Sequence, residues 1–148
     1  MKYAFKFDKI LSLKEREKEE ALLAYQDSIG KFEKVAKKLY ELLRQKEKLQ
    51  TTRSEKLKQG TPVNEIRFYE EYLESLEKKI EKQQIMVNNA RNRMQHLQKQ
   101  LMEKNIEVKK FEKLREKDVR KFFDQLRAEE NKRMDDAALQ TYLHREIR

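Results

Sequence analysis

The chain has 148 residues, of which 43% are charged and 37% hydrophobic, with two Gly, one Pro, no Cys and no Trp. So few turn residues and so much charge exclude an ordinary compact globule, which needs a wider apolar core and many more breaks. The spaced Leu, Ile, Phe and Tyr equally argue against disorder and point to long helices that bury a narrow seam.

The amino-terminal stretch "MKYAFKFDKILSLKEREK" is apolar in places, but Asp8 and Lys9 interrupt any signal-peptide core and no small-residue cleavage site follows. No run approaches the roughly 18 apolar residues that a bilayer span requires. A cytoplasmic protein is expected. The absence of Cys excludes disulfides and thiol catalysis. The net charge of +9 favours acidic partners without choosing among nucleic acid, anionic lipid and protein.

From Leu22 onward, apolar residues recur at alternating spacings of three and four: Leu22, Tyr25, Ile29, Phe32, Ala36, Leu39 and Leu43. This is the seam of a coiled coil. It weakens through Leu49 and Leu57 before a break at "KQGTPVN". Beyond the break the same rule gives Ile66, Tyr69, Leu73, Leu76, Ile80, Gln83, Val87, Ala90, Met94, Leu97, Leu101, Lys104, Val108, Phe111 and Arg115. Only Gln83, Lys104 and Arg115 in that series are not apolar.

The break reads as a tight turn. Lys56 and Lys58 suit the last turn of a helix, and Gly60 can adopt the left-handed conformation that closes one. Thr61 is a good N-cap, and Pro62 is a good first helical residue. So short a connection folds one helix back along the other. The predicted fold is all-α: residues 1–148 form one antiparallel two-helix coiled-coil hairpin, with helix 1 over about 7–58, a turn at 59–62 and helix 2 over about 62–140. Partners across the seam should then have numbers summing to about 121. Helix 1 reaches back only to the region of Lys113 and Leu114, so the carboxyl-terminal part of helix 2 overhangs. At about 1.5 Å per residue the paired part is roughly 80 Å long. The overhang carries Val119, Phe122, Phe123 and Leu126 on one face, and later Met134, Leu139, Tyr142 and Leu143. Those groups call for a partner.

A second feature lies at the middle of the hairpin. Lys38, Leu42, Gln45 and Leu49 form one stripe, and the summing rule sets Gln83, Lys79, Leu76 and Tyr72 opposite them. These residues either widen the seam or make a surface patch that spans both helices; spacing leaves both open.

Nothing in the chain suggests catalysis. His96 and His144 are the only histidines, no second ligand stands at metal spacing, and no glycine-rich phosphate loop occurs. Carboxylates are everywhere, and a two-helix hairpin offers no water-excluding cleft to tune them. No enzyme activity, metal or cofactor is expected. Basic residues cluster in "KKFEKLREKDVRK", but no basic region leads into a zipper and no aromatic pair is set for base stacking, so nucleic acid is not expected either.

Four segments, "YAFKFDKILSLKERE", "FYEEYLESLEKKIE", "EKNIEVKKFEKLREK" and "RMDDAALQTYLH", resemble in order the flagellar FliJ family, especially its Bacillus-type members. The resemblance covers nearly the whole chain. It implies a non-enzymatic component of the flagellar type III export apparatus, peripheral at the cytoplasmic face of the cell membrane through its partners. It further implies a stalk-like coiled coil that docks in the ring of the export ATPase FliI, promotes ring assembly, couples it to the export gate protein FlhA and handles export chaperones. The ring contact maps to the terminal end, expected here at Phe7, Leu11, Arg115, Lys117, Arg120, Phe122 and Phe123. The gate contact maps to Lys38, Leu42, Gln45, Leu49, Tyr72, Leu76, Lys79 and Gln83, the stripe already found by spacing. Gln45, Leu49, Lys79 and Gln83 depart from the family's residues, so Leu42, Tyr72 and Leu76 carry that expectation. A general coiled-coil scaffold with no ATPase partner is the alternative, followed by a basic nucleic-acid-binding coiled coil.

Overall fold

A computed structural model describes residues 2–146. Two helices account for nearly all of them: α1, Asp8–Gln59, and α2, Val63–Glu146. The two pack against each other, and no strand occurs among the described residues. Residues 2–5 precede α1 without regular structure. The chain divides into two compact units, residues 19–102 and residues 1–18 with 103–148.

The first unit contains the turn. Asp8 and Glu65 stand in the first turns of their helices, and Lys56 and Lys58 stand in the last turn of α1, each sign matching the local end of the helix dipole. Gly60 has φ = 78°, where a side chain would be strained, so glycine ends α1 here. The cap differs by one residue from the sequence expectation. The Thr61 hydroxyl donates to the Lys56 carbonyl at 2.5 Å rather than capping α2. The Pro62 carbonyl accepts from the Glu65 and Ile66 amides, so Pro62 stands just ahead of the helix. Thr61 thus serves one of the orphan carbonyls at the end of α1, which a residue beyond a left-handed glycine is placed to reach.

Within this unit the α2 seam is the one the spacing predicts: Leu73, Leu76, Ile80, Gln83 and Val87 are all buried. The α1 seam is broader than expected. Leu22 and Leu43 are exposed, Ile29 and Ala36 are half-buried, and Ala21, Ser28, Val35 and Leu42 join Tyr25, Phe32 and Leu39 at the inner positions. Ser28 can be buried because its hydroxyl donates to the Tyr25 carbonyl at 2.6 Å within its own helix. Gln83 is buried because its Nε2 donates across the seam to the Val35 carbonyl at 3.0 Å. Closer to the turn, half-buried Lys46, Leu49, Arg53 and Lys56 continue the same line. The stems of Lys46, Arg53 and Lys56 carry the seam here, with Lys46 and Lys56 paired to Glu77 and Glu65 and Arg53 Nε buried.

The second unit joins the start of α1 to α2 from Glu103 onward. Its centre is Leu11 and Val108, each only 2% exposed. Burying an aliphatic side chain to that extent contributes about 2 kcal/mol. Around this pair the seam turns ionic. Lys14 contacts Glu107 at 3.2 Å, and Lys104 contacts Glu17 at 3.1 Å. Both pairs sum to 121, as does Lys56 with Glu65 in the other unit. Farther out the segment before α1 continues along α2: Phe7 packs edge-on against Phe111, and Tyr3 against Phe122. Arg115 is exposed, although the spacing placed it in the seam, and Val119, Phe122 and Leu126 are half-buried instead. The reason is that α1 has ended before reaching Arg115; the irregular segment with Tyr3 and Phe5 covers a different strip of α2. From Arg127 to Glu146 every residue of α2 is exposed.

Candidate functional site

The residues singled out in the sequence fall on two surfaces, one in each unit. Among the described residues no group of three or more His, Cys, Asp or Glu could hold a metal ion. His96 is exposed, 3.2 Å from Gln100 Nε2 one turn away, and His144 is exposed near the end of α2.

At the middle of the hairpin, the eight residues of the expected patch divide evenly. Leu76 and Gln83 are buried in the seam at 4% exposure each, and Leu42 and Leu49 are half-buried beside them. Leu76 and Gln83 thus lie inside the seam, and Leu42 and Leu49 expose only part of their side chains at its edge. Leu49, Leu76 and Gln83 are seam residues by the spacing itself, and Leu42 takes the inner position that the spacing had given to Leu43. Lys38, Gln45, Tyr72 and Lys79 are exposed. Each lies one residue before a seam position, at Leu39, Lys46, Leu73 and Ile80, so in an antiparallel pair all four border the same edge. Tyr72 is half exposed and offers both a ring face and a hydroxyl. On α1, Glu41, Arg44, Gln45 and Lys48 line a shallow polar depression.

The terminal surface is built by the aromatic residues before and within the helices. Phe5 packs edge-on against Phe7, Phe7 against Phe111, Tyr3 against Phe122, and Phe122 against Phe123, with ring centroids 5.4–6.2 Å apart. The Tyr3 hydroxyl donates to Asp118 Oδ2 at 2.9 Å. Partial burial and the neighbouring Asp118 carboxylate raise the Tyr3 pKa above its ordinary value. Of the expected contact residues, Arg115, Lys117, Arg120 and Phe123 are exposed and Phe7 and Phe122 half-buried. Leu11 is buried, so it holds the unit together and does not form part of the surface. Phe5, Lys6, Phe7, Leu114, Lys117, Asp118 and Lys121 enclose a groove between the amino-terminal segment and α2.

Tyr3, Phe5 and Asp118 were not among the expected site residues. Their signal was the alternation Tyr3, Phe5, Phe7, a period of two that marks an extended segment laying one side on a neighbour. Behind this surface, Glu17 is held below the usual carboxylate range, first by the hydrogen bond from Lys104 and also by the charges of Lys104 and Lys14. Lys104 is raised, by its hydrogen bond to Glu17 and by the Glu107 and Glu17 charges.

The fold defines a class: an all-α protein of two long helices packed against each other. Comparison with known proteins makes this particular. The family described as flagellar FliJ protein matches residues 1–146. The chain is 45% identical over 143 residues to the flagellar FliJ protein of Bacillus subtilis (strain 168), an alignment covering 97% of each chain. No solved structure matches. The chain belongs to the flagellar FliJ family.

Proposed function

We propose that the chain works in flagellar protein export as a non-enzymatic, stalk-like part, whose terminal unit enters the ring of the export ATPase FliI and promotes its assembly. The observation that carries this reading is the terminal unit itself. Arg115, Lys117, Arg120 and Phe123 stand exposed on α2 where α1 has already ended, on an aromatic base fixed by Tyr3, Phe7 and Phe111. A single helix carrying cations and an aromatic ring on distinct faces presents different contacts in different directions. That asymmetry is what a central element needs if successive ring subunits are to meet different surfaces.

In this reading the middle edge, Lys38, Gln45, Tyr72 and Lys79, serves the export gate protein FlhA. Leu42, Leu49, Leu76 and Gln83 support it from the seam. Export chaperones are the remaining partners, and the chain sits at the cytoplasmic face of the cell membrane at the flagellar base. Among the described residues no helix is long and apolar enough to cross a membrane, which agrees with attachment through a surface.

The test is the steady-state ATPase rate of the export ATPase from the same organism, with and without this chain, alongside light scattering of the mixture. A higher rate with ring-sized particles is expected. No change in either, with the ATPase alone active, would leave a coiled-coil scaffold as the better description.

A further inference from the structure

The back of α2 in the terminal unit is sorted by charge. Successive helical residues turn by about 100°, so Ile106, Lys110, Lys113, Lys117 and Lys121 fall on one line, with Lys109, Leu114 and Arg120 at its margins. All eight are exposed. Lys110, Lys113, Leu114 and Lys117 line one shallow depression. The carboxylates of the same stretch lie elsewhere. Glu107 is turned to Lys14 and Lys104 on the packed side of the helix, and Asp118, in the groove that Leu114, Lys117 and Lys121 also line, accepts from Tyr3. By the same rotation Glu112 and Glu116 fall outside the row, at one flank. None of the six cations of this row is in an ion pair among the described residues.

We infer that this row is a docking face for an anionic lipid surface. Six cations without a carboxylate among them attract any polyanion, and two further features select lipid. The row runs along one helix over about 15 residues, so its charges can touch a plane together, and the depression at Lys110, Lys113, Leu114 and Lys117 is too shallow to enclose a single phosphate. Ile106 and Leu114 lie within it, 60% and 45% exposed, where aliphatic groups can enter the headgroup layer. A nucleic acid offers the same phosphates but nothing for those two side chains. The inference stands on this charge sorting and does not depend on the export reading. Lys117 and Arg120 belong also to the proposed ring contact, so lipid-bound and ring-bound chains are alternatives.

The experiment is co-sedimentation of the full chain with vesicles of 30% phosphatidylglycerol in phosphatidylcholine, and with phosphatidylcholine alone, at low and physiological salt. The row variant is Lys109→Gln with Lys110→Gln and Lys113→Gln, which spares the ring-contact residues. A control variant removes three exposed lysines of the other unit, Lys34→Gln, Lys37→Gln and Lys48→Gln, with helicity of both checked by circular dichroism. Binding to the anionic vesicles that weakens with salt, falls roughly tenfold or more in the row variant and is kept by the control is expected. Several results would overturn the inference: no binding to anionic vesicles at low salt, equal binding to the neutral ones, equal loss in both variants, or row-dependent binding to a duplex DNA oligonucleotide with none to vesicles. ATPase stimulation by the row variant is read separately, and its presence or absence does not enter these outcomes.

Discussion

The middle unit and the terminal unit use the same two helices and hold them in different ways. In the middle, buried Leu73, Leu76, Ile80 and Val87 face an α1 line of Phe32, Val35, Leu39 and Leu42, the buried polar Ser28 and Gln83 are each satisfied by a backbone carbonyl, and charged Lys46, Arg53 and Lys56 enter the line only nearer the turn. At the terminal unit only Leu11 and Val108 are fully buried, and the rest of the contact is Lys14, Glu17, Lys104 and Glu107 together with rings set edge to face. An apolar seam resists changes of salt and acidity; partly exposed ion pairs do not. The end assigned to the ring is therefore the end whose packing responds to its surroundings.

The largest effect expected from breaking this contrast is at Leu11. Leu11→Ala removes the most buried side chain of the terminal unit and should cost about 2–5 kcal/mol there. Amide exchange should quicken in residues 8–18 while the middle seam keeps its protection. Gly60→Ala comes next. A β-carbon at Gly60 meets nothing within 4 Å, so its cost is the backbone strain of positive φ alone, about 1–2 kcal/mol, read as a lower midpoint of thermal unfolding.

Gln83→Leu sharpens the comparison from the other side. It removes a buried polar group and its single donor to Val35, and the Val35 carbonyl keeps its place in the helix ladder, so stability should change by less than about 1 kcal/mol. A loss of 3 kcal/mol or more would show that the middle unit depends on its polar layer. The smallest effect is the acid response. Glu17 has a depressed pKa in the folded chain, so its contribution is present above the ordinary carboxylate range and is lost as pH falls through that range toward the depressed value. Fraying of residues 8–18 should therefore rise on acidification, and Glu17→Gln should flatten that dependence without touching exchange near Ile80.

How much of this was visible in the sequence differs between the helices. In α2 the seam from Ile66 to Phe111 is legible residue by residue, because its apolar groups leave one choice of face. In α1 two lines shared Tyr25, Phe32 and Leu39, and the apolar Leu22, Ile29, Ala36 and Leu43 outranked Ala21, Ser28, Val35 and Leu42 on composition. Ile29 and Ala36 are half-buried, but Ser28 lies deeper because its hydroxyl is satisfied within its own helix, and Val35 accepts from Gln83, bonds that no hydropathy pattern records. In the middle patch, Leu49, Leu76 and Gln83 are seam residues by the spacing itself, and the packing of α1 adds Leu42. At the terminal end, Arg115 followed the heptad count onto a face that α1 never reaches, and the covering segment showed itself only as alternating aromatics before Asp8.

The central claim is that the terminal unit, and not the middle edge, acts on the ATPase ring. The most direct measurement compares stimulation of the export ATPase by two variants of equal helicity, Arg115→Ala with Phe123→Ala at the terminal surface and Lys38→Ala with Tyr72→Ala at the middle edge. The account predicts that the first loses most of the stimulation and the second keeps it. Full stimulation by the terminal variant, or equal loss in both, would contradict the assignment.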